Sequence, residues 1–281
     1  MQKQKVIVIV GPTASGKSAY AVQLAKKIGG EVISADSRQV YKGLDIGTGK
    51  ITKKEMNGVP QHLLDIVSPK KVFTAQQFVE LGRAAIEDIL ARGKTPIICG
   101  GTGFYIDALL GRMPLPNVPP NPELRKKLES KTAPQLFKML QKLDPRRAKK
   151  IDQHNPVRLV RAIEIAKALG SVPVPKPEKL PYEIEWIGLN PGDELLRKKI
   201  AKRLAERMKS GMVAEAKNLH AKGLSWRRMH QLGLEYRYLA FHLQKKITKD
   251  AMISELETRI WDYARRQRMY WKRNKDIVWL G

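Results

Sequence analysis

Apolar runs and polar interruptions alternate along the chain in an order that predicts strands joined by helices. Val6-Ile7-Val8-Ile9-Val10 is an unbroken apolar run, as a strand buried on both faces requires. A polar, glycine-bearing stretch follows, and Ala19 to Ile28 then predicts a helix. Further strands are predicted over Glu31-Val32-Ile33-Ser34-Ala35 and Thr95-Pro96-Ile97-Ile98-Cys99, and a short apolar helix over Phe104 to Leu110. Two proline clusters come next, Pro114 to Pro122 and Pro173 to Pro181; they stiffen connections and stop neighbouring elements from running on. Between them Glu123 to Leu169 predicts helices, with apolar spacing in Leu136, Met139, Leu140 and Leu143 and again in Leu159, Val160, Ile163 and Ala166. Glu183 to Asn190 reads as a strand returning to the sheet. The remainder is helical: Leu196, Ile200, Leu204 and Met208 form a core-facing stripe, Gly211 and Gly223 mark helix ends, and a last helix runs from Asp250 to Arg273.

Composition adds a partner class. The 281 residues are enough to bury a sizeable core, and no apolar stretch is as long as a membrane helix. Neither a secretion signal nor a membrane contact is expected, Cys99 has no second cysteine to pair with, and a cytoplasmic monomer is anticipated. The formal net charge is +26: residues 1–111 carry +6, 112–199 carry +9 and 200–281 carry +11. An excess this large, concentrated outside the first segment, favours a polyanionic partner, with nucleic acid ahead of membrane. The last helix interleaves Arg265, Arg266, Arg268, Lys272 and Arg273 with Tyr270 and Trp271, which suits stacking on RNA bases as well as packing on a core.

The chemistry starts at Gly11-Pro12-Thr13-Ala14-Ser15-Gly16-Lys17-Ser18, a complete phosphate-binding loop between a strand and a helix. Backbone N–H groups and a helix N-terminus point at one anion there, Lys17 adds a charge, and the Ser18 hydroxyl is suited to Mg²⁺. The expected fold is α/β: a P-loop NTPase-like parallel sheet core over residues 1–112 and 182–281, carrying a helical insertion over 113–181. Asp36 follows the second strand, where groups face the ligand crevice, so it is a candidate general base; capping the next turn is the alternative. After Cys99 the chain reads Gly100-Gly101-Thr102-Gly103, where a nucleotide-hydrolysing enzyme usually keeps a metal-holding Asp. That turn can donate to phosphate or substrate, or be a plain tight turn. The five histidines have no metal-ligand spacing.

Several segments together resemble the tRNA dimethylallyltransferase (tRNA isopentenyltransferase) family. They are G-P-T-A-S-G-K-S at 11–18, S-A-D-S-R-Q-V-Y at 34–41, D-I-G-T at 45–48 and H-L-L-D-I at 62–66. G-G-T-G-F-Y at 100–105, N-P-V-R-L-V-R-A-I-E-I at 155–165, G-L-E-Y-R at 233–237 and A-R-R-Q-R-M-Y-W at 264–271 continue the series in family order. The resemblance implies transfer of a dimethylallyl group from its diphosphate to N6 of the adenine 3′-adjacent to the tRNA anticodon, with Mg²⁺. It implies that the loop of residues 11–18 holds the diphosphate, that Asp36 is the base and that Thr102 lies at the reacting adenine. It also implies tRNA contacts from Asp36, Ser37, Arg38, Gln39, Thr102, Arg125, Val157, Arg158, Leu159, Val160, Arg161, Arg237, Arg266 and Gln267. The chain departs from the family at D-I-G-T-G-K-I, where D-I-G-T-A-K-P is frequent.

Overall fold

The structure is a computed structural model, described over residues 4–280. Its elements are β1 (Lys5–Val10), α1 (Lys17–Ile28), β2 (Gly30–Ser34), α2 (Lys53–Met56), β3 (Gln61–His62), α3 (Ala75–Ala91), β4 (Thr95–Cys99) and α4 (Gly103–Leu109). Four helices follow: α5 (Pro122–Glu129), α6 (Ala133–Leu143), α7 (Pro145–Ala148) and α8 (Pro156–Leu169). The chain ends with β5 (Glu183–Leu189), α9 (Asp193–Lys209), α10 (Met212–Ala221), α11 (Trp226–Gln231), α12 (Leu234–Leu243), α13 (Lys249–Trp271) and β6 (Val278–Leu280). Packing divides it into two units, Met1–Gly111 with Lys179–Gly281, and Arg112–Glu178.

The larger unit is a six-stranded sheet, all pairs parallel, in the order β3-β2-β4-β1-β5-β6. β1 is central because it is apolar throughout: Val6 to Val10 are all buried, and they pair with β4 on one side and β5 on the other. Helices cover both faces. Ala21, Val22 and Ala25 of α1 pack on Ile7, Ile9 and Ile97. On the other face Phe78 and Ile86 of α3, Ile106 and Leu109 of α4, and Leu196, Ile200 and Leu204 of α9 join Val6, Val8 and Val10 in one core. The stripe read from the sequence is therefore buried as expected, with Met208 at its partly buried end. Two strands escaped the pattern. β3 has only two residues and β6 only three, too short for alternation to show, so the strand predicted as third is fourth in chain order.

The smaller unit is helical and has its own core of Leu128, Leu136, Leu140, Leu159, Ile163 and their neighbours. Inside it lies a carboxylate. Glu164 is 2% exposed; it accepts from Arg125 through both oxygens at 2.7 Å, from the Asn121 N–H at 2.9 Å, and from Arg161 at 3.3 Å. Burial raises its pKa, but the Arg125 fork and the Asn121 N–H outweigh that and hold it below the ordinary value. The sign follows: this stabilisation is full above the unfolded value of 4.5 and fades as pH falls through the lower folded value. Glu164→Ala should cost about 2–3 kcal/mol, less than a fully buried pair because Arg125 keeps partial access to water. Chemical denaturation at pH 7 measures it, and the difference from wild type should shrink at acid pH.

Candidate active site

The phosphate loop of residues 11–18 owes its shape to three left-handed positions. Gly11, Ala14 and Gly16 have φ of 144°, 62° and 98°. Gly11 cannot be replaced, since a Cβ there would fall 2.2 Å from the Leu189 carbonyl oxygen at the end of β5. Ala14 is the one residue in the loop with a side chain at positive φ, a strained conformation of the kind that gathers at ligand sites. Gly16 caps α1 with no side-chain acceptor, so the first N–H groups of that helix have no partner within the helix and face outward. Lys17 donates to the Pro12 carbonyl at 2.6 Å. Burial pushes its pKa down to about 8; Cys99 and Asp36 oppose that, while Arg203 adds to it. The Ser15 hydroxyl is buried without a hydrogen-bond partner among the described residues, and Ser18 is exposed.

Asp36 lies two residues past the end of β2. Its Oδ1 accepts the N–H groups of Arg38 at 2.8 Å and Gln39 at 3.4 Å, so it does cap the turn. Its Oδ2 has no partner among the described residues, which leaves one oxygen for a substrate. Thr102 sits beside it: its hydroxyl accepts the Ser37 N–H at 3.1 Å, and its own N–H donates to the Ala35 carbonyl at 3.2 Å. The turn from Gly100 to Gly103 is glycine-rich because it is squeezed. A Cβ at Gly100 would lie 2.2 Å from Ala35 O, at Gly101 2.1 Å from Gln267 Nε2, and at Gly103 2.3 Å from the Tyr270 ring. Close packing explains the glycines, and Thr102 carries what polar function the turn has.

Gln267 of α13 corrects an expectation. Its side chain does not reach solvent: it is 6% exposed, accepts the Thr13 N–H at 2.8 Å and donates to the Gly101 carbonyl at 2.9 Å. It is a clasp between the phosphate loop and the glycine turn. Its neighbour Arg266 is exposed and lies 6.0 Å from the Tyr263 ring. Arg38 lies against Gly233, whose φ of 123° and missing side chain leave it room, so the segments 36–39 and 233–237 meet. Arg237 reaches the His230 carbonyl at 3.2 Å and stays exposed.

In the smaller unit, Val157 and Arg158 are exposed on the first turn of α8. Leu159 is corrected: its side chain is fully buried in the local core and cannot touch a partner. Val160 packs on that core, half-buried. Arg161 donates to the Val118 carbonyl at 2.7 Å as well as to Glu164, and Arg125 is committed to Glu164.

A family model described as IPP transferase matches residues 39–275. The chain belongs to that family. It is 43% identical over 279 residues to a tRNA dimethylallyltransferase 2 of Treponema denticola, covering 96% of this chain and 92% of the relative. Among solved structures it is similar to a full-length tRNA isopentenylpyrophosphate transferase from Bacillus halodurans, with a TM-score of 0.75 and 36% identity over 99% of this chain and 90% of that one. A eukaryotic dimethylallyltransferase described as acting on tRNA superposes with a TM-score of 0.82 at 27% identity, over 99% of this chain and 73% of that one. In this IPP transferase family member, three residues in the neighbourhood of the site carried no motif in the sequence. Arg203 of α9 is half-buried with no acid in ion-pair range among the described residues, close enough to Lys17 to lower its pKa. Tyr263 of α13 is half-buried beside Thr102, its pKa raised by burial and then by Asp36 and Glu235. Glu215 of α10 holds the loop that begins at Asp45. All three stand on helices distant in sequence from the strands they serve, so spacing could not reveal them.

Proposed function

We propose that this protein transfers the dimethylallyl group of dimethylallyl diphosphate to N6 of the adenine 3′-adjacent to the anticodon in tRNA. The observation that carries the reading is the Asp36 carboxylate, one oxygen fixed in a turn and the other unpartnered among the described residues, beside Thr102 at the carboxyl end of the parallel sheet, where the phosphate loop also lies. Membership of the family and the tRNA-directed names of its relatives support the substrate pair.

An exocyclic adenine amine is a weak nucleophile because its lone pair is delocalised into the ring. Asp36 Oδ2 accepts one N6 hydrogen, concentrates electron density on nitrogen and takes the proton as the N–C bond forms. The C–O bond to diphosphate breaks in the same event, and the leaving charge meets loop N–H groups, Lys17 and Arg203. Thr102 and Tyr263 hold the edge of the base. Because an adenine in a stacked loop cannot reach Asp36, the base must be extruded. Ser18 is the residue that would hold Mg²⁺: among the described residues no three acids, histidines or cysteines cluster, so the ion would draw its other ligands from diphosphate and water, as Mg²⁺ commonly does. When bound, it neutralises charge on the leaving oxygens.

The test is to incubate the protein with bulk tRNA, Mg²⁺ and labelled dimethylallyl diphosphate. Label should enter RNA and not mononucleotides; label in free nucleotides, or tRNA-independent phosphoryl transfer from ATP, would overturn the reading. Contact with tRNA through the smaller unit rests on Arg158, exposed and with no acceptor for its guanidinium among the described residues. Arg158→Ala should lower the slope of log affinity against log salt by about 0.7–0.9 and leave diphosphate binding unchanged. Arg161→Ala should also lower stability, since it breaks the contacts to Glu164 and Val118. Filter binding across a salt series measures the slope.

A further inference from the structure

The D-I-G-T-G-K segment, residues 45–50, supplies none of the groups assigned to the reaction, yet it is anchored at both ends. Three consecutive N–H groups converge on one carboxylate. Glu215 Oε2 accepts from Asp45 at 2.9 Å and Ile46 at 2.7 Å, and Oε1 accepts from Gly47 at 2.9 Å and from the Tyr236 hydroxyl at 2.6 Å. Successive N–H groups of this kind form an anion-binding concavity, and here the anion is the protein's own side chain. The far end is fixed too: the Lys50 ammonium, its side chain 5% exposed, donates to the Tyr41 carbonyl at 2.9 Å and to Asp45 and Asp65 at 2.6 and 2.5 Å. Between these anchors Gly49 turns with φ of +60°, and a Cβ there would come within 2.7 Å of Arg203 Nη2. The chain thus offers bare backbone to the Arg203 guanidinium.

We infer that Glu215 is a positioning residue for the diphosphate site: by clamping the segment 45–50 it builds the seat that sets where the Arg203 guanidinium lies. The inference rests on the reading that the phosphate loop binds a diphosphate. Glu215 spends both oxygens on the loop N–H groups and the Tyr236 hydroxyl. Its carboxylate fixes the loop backbone, the loop backbone supports Arg203, and Arg203 lies near enough to Lys17 to lower its pKa. Arg207 reinforces the arrangement by donating to the Gly47 carbonyl at 2.8 Å. A neutral amide at position 215 would turn a donor toward at least one of the three N–H groups and release part of the clamp.

Inorganic pyrophosphate is the probe, and calorimetric affinity at fixed Mg²⁺ the readout. Arg203→Ala should weaken binding about 10- to 100-fold, the range for a charge-assisted hydrogen bond. Glu215→Gln should weaken it about three- to tenfold in the wild-type background and have no further effect in Arg203→Ala, because contacts that act through one another are not additive. Gly49→Ala presses on Arg203 without touching Glu215 and should show the same pattern, which keeps the inference testable if Glu215→Gln does not fold. An equal loss in both backgrounds, or an unchanged affinity in a folded Glu215→Gln or Gly49→Ala protein, would overturn the positioning role. Lys17→Ala separates the two layers: wild-type binding lost in that variant means the diphosphate reading stands whatever Glu215 does. A wild type that binds no pyrophosphate removes that reading and this inference together.

Discussion

Replacing Asp36 with Asn should stop dimethylallyl transfer while pyrophosphate and tRNA affinities stay close to wild type. Asn keeps the acceptor that Arg38 and Gln39 bond at Oδ1, so the turn survives. What it loses is a second oxygen able to take a proton. A positioned base is worth roughly 10²–10⁴-fold in rate, and single-turnover transfer with saturating substrates should fall by that factor. Transfer at near wild-type rate would return Asp36 to a capping role only. A loss of tRNA binding instead would mean that the turn from Ser37 to Gln39 had moved.

Lys17→Ala should raise the dimethylallyl diphosphate concentration required and also slow the chemical step, since the charge faces both bound and leaving diphosphate. The pH dependence is sharper still. Burial holds Lys17 near a pKa of about 8 in the free protein, and a bound diphosphate must raise it. Affinity is then greatest below that value, where the ammonium already exists, and declines as pH rises through it, by up to about tenfold per pH unit. The decline ends where the complex itself deprotonates. Lys17→Ala should abolish this step, leaving pyrophosphate affinity weak and nearly flat between pH 7 and 10. Titration calorimetry across that range checks both the sign and the slope.

Much of this was legible in the sequence for local reasons. A buried parallel strand must be apolar throughout, which exposes β1 and β4, and a phosphate loop needs its glycines and lysine at fixed spacing. Leu196, Ile200 and Leu204 declared their face by a helical period. What was not legible depends on packing between distant segments. Gln267 lies in a run of arginines and aromatics that suits RNA, and only the helix's rotation turns it inward as a clasp. Leu159 sits between two exposed-looking neighbours in a motif, but a helix buries every third or fourth residue and this is one of them. Gly100, Gly101 and Gly103 look like flexibility in sequence; in space they are room for Ala35, Gln267 and Tyr270. Arg203 and Glu215 carry no local signal, because what they hold comes from elsewhere in the chain.

The clasp from Gln267 to Thr13 spans 254 positions, and it sets an order of events during synthesis. Translation runs from Thr13 towards Gln267, so the phosphate loop leaves the ribosome well before the helix that fixes its shape. Until that helix arrives, the Thr13 N–H and the Gly101 carbonyl lack their shared partner, and the glycine turn has nothing pressing it into place. A nascent chain therefore carries the phosphate loop, Asp36 and Thr102 long before Arg203 and Tyr263 join them. The phosphate loop and the glycine turn take their shared contact only once α13 has been made.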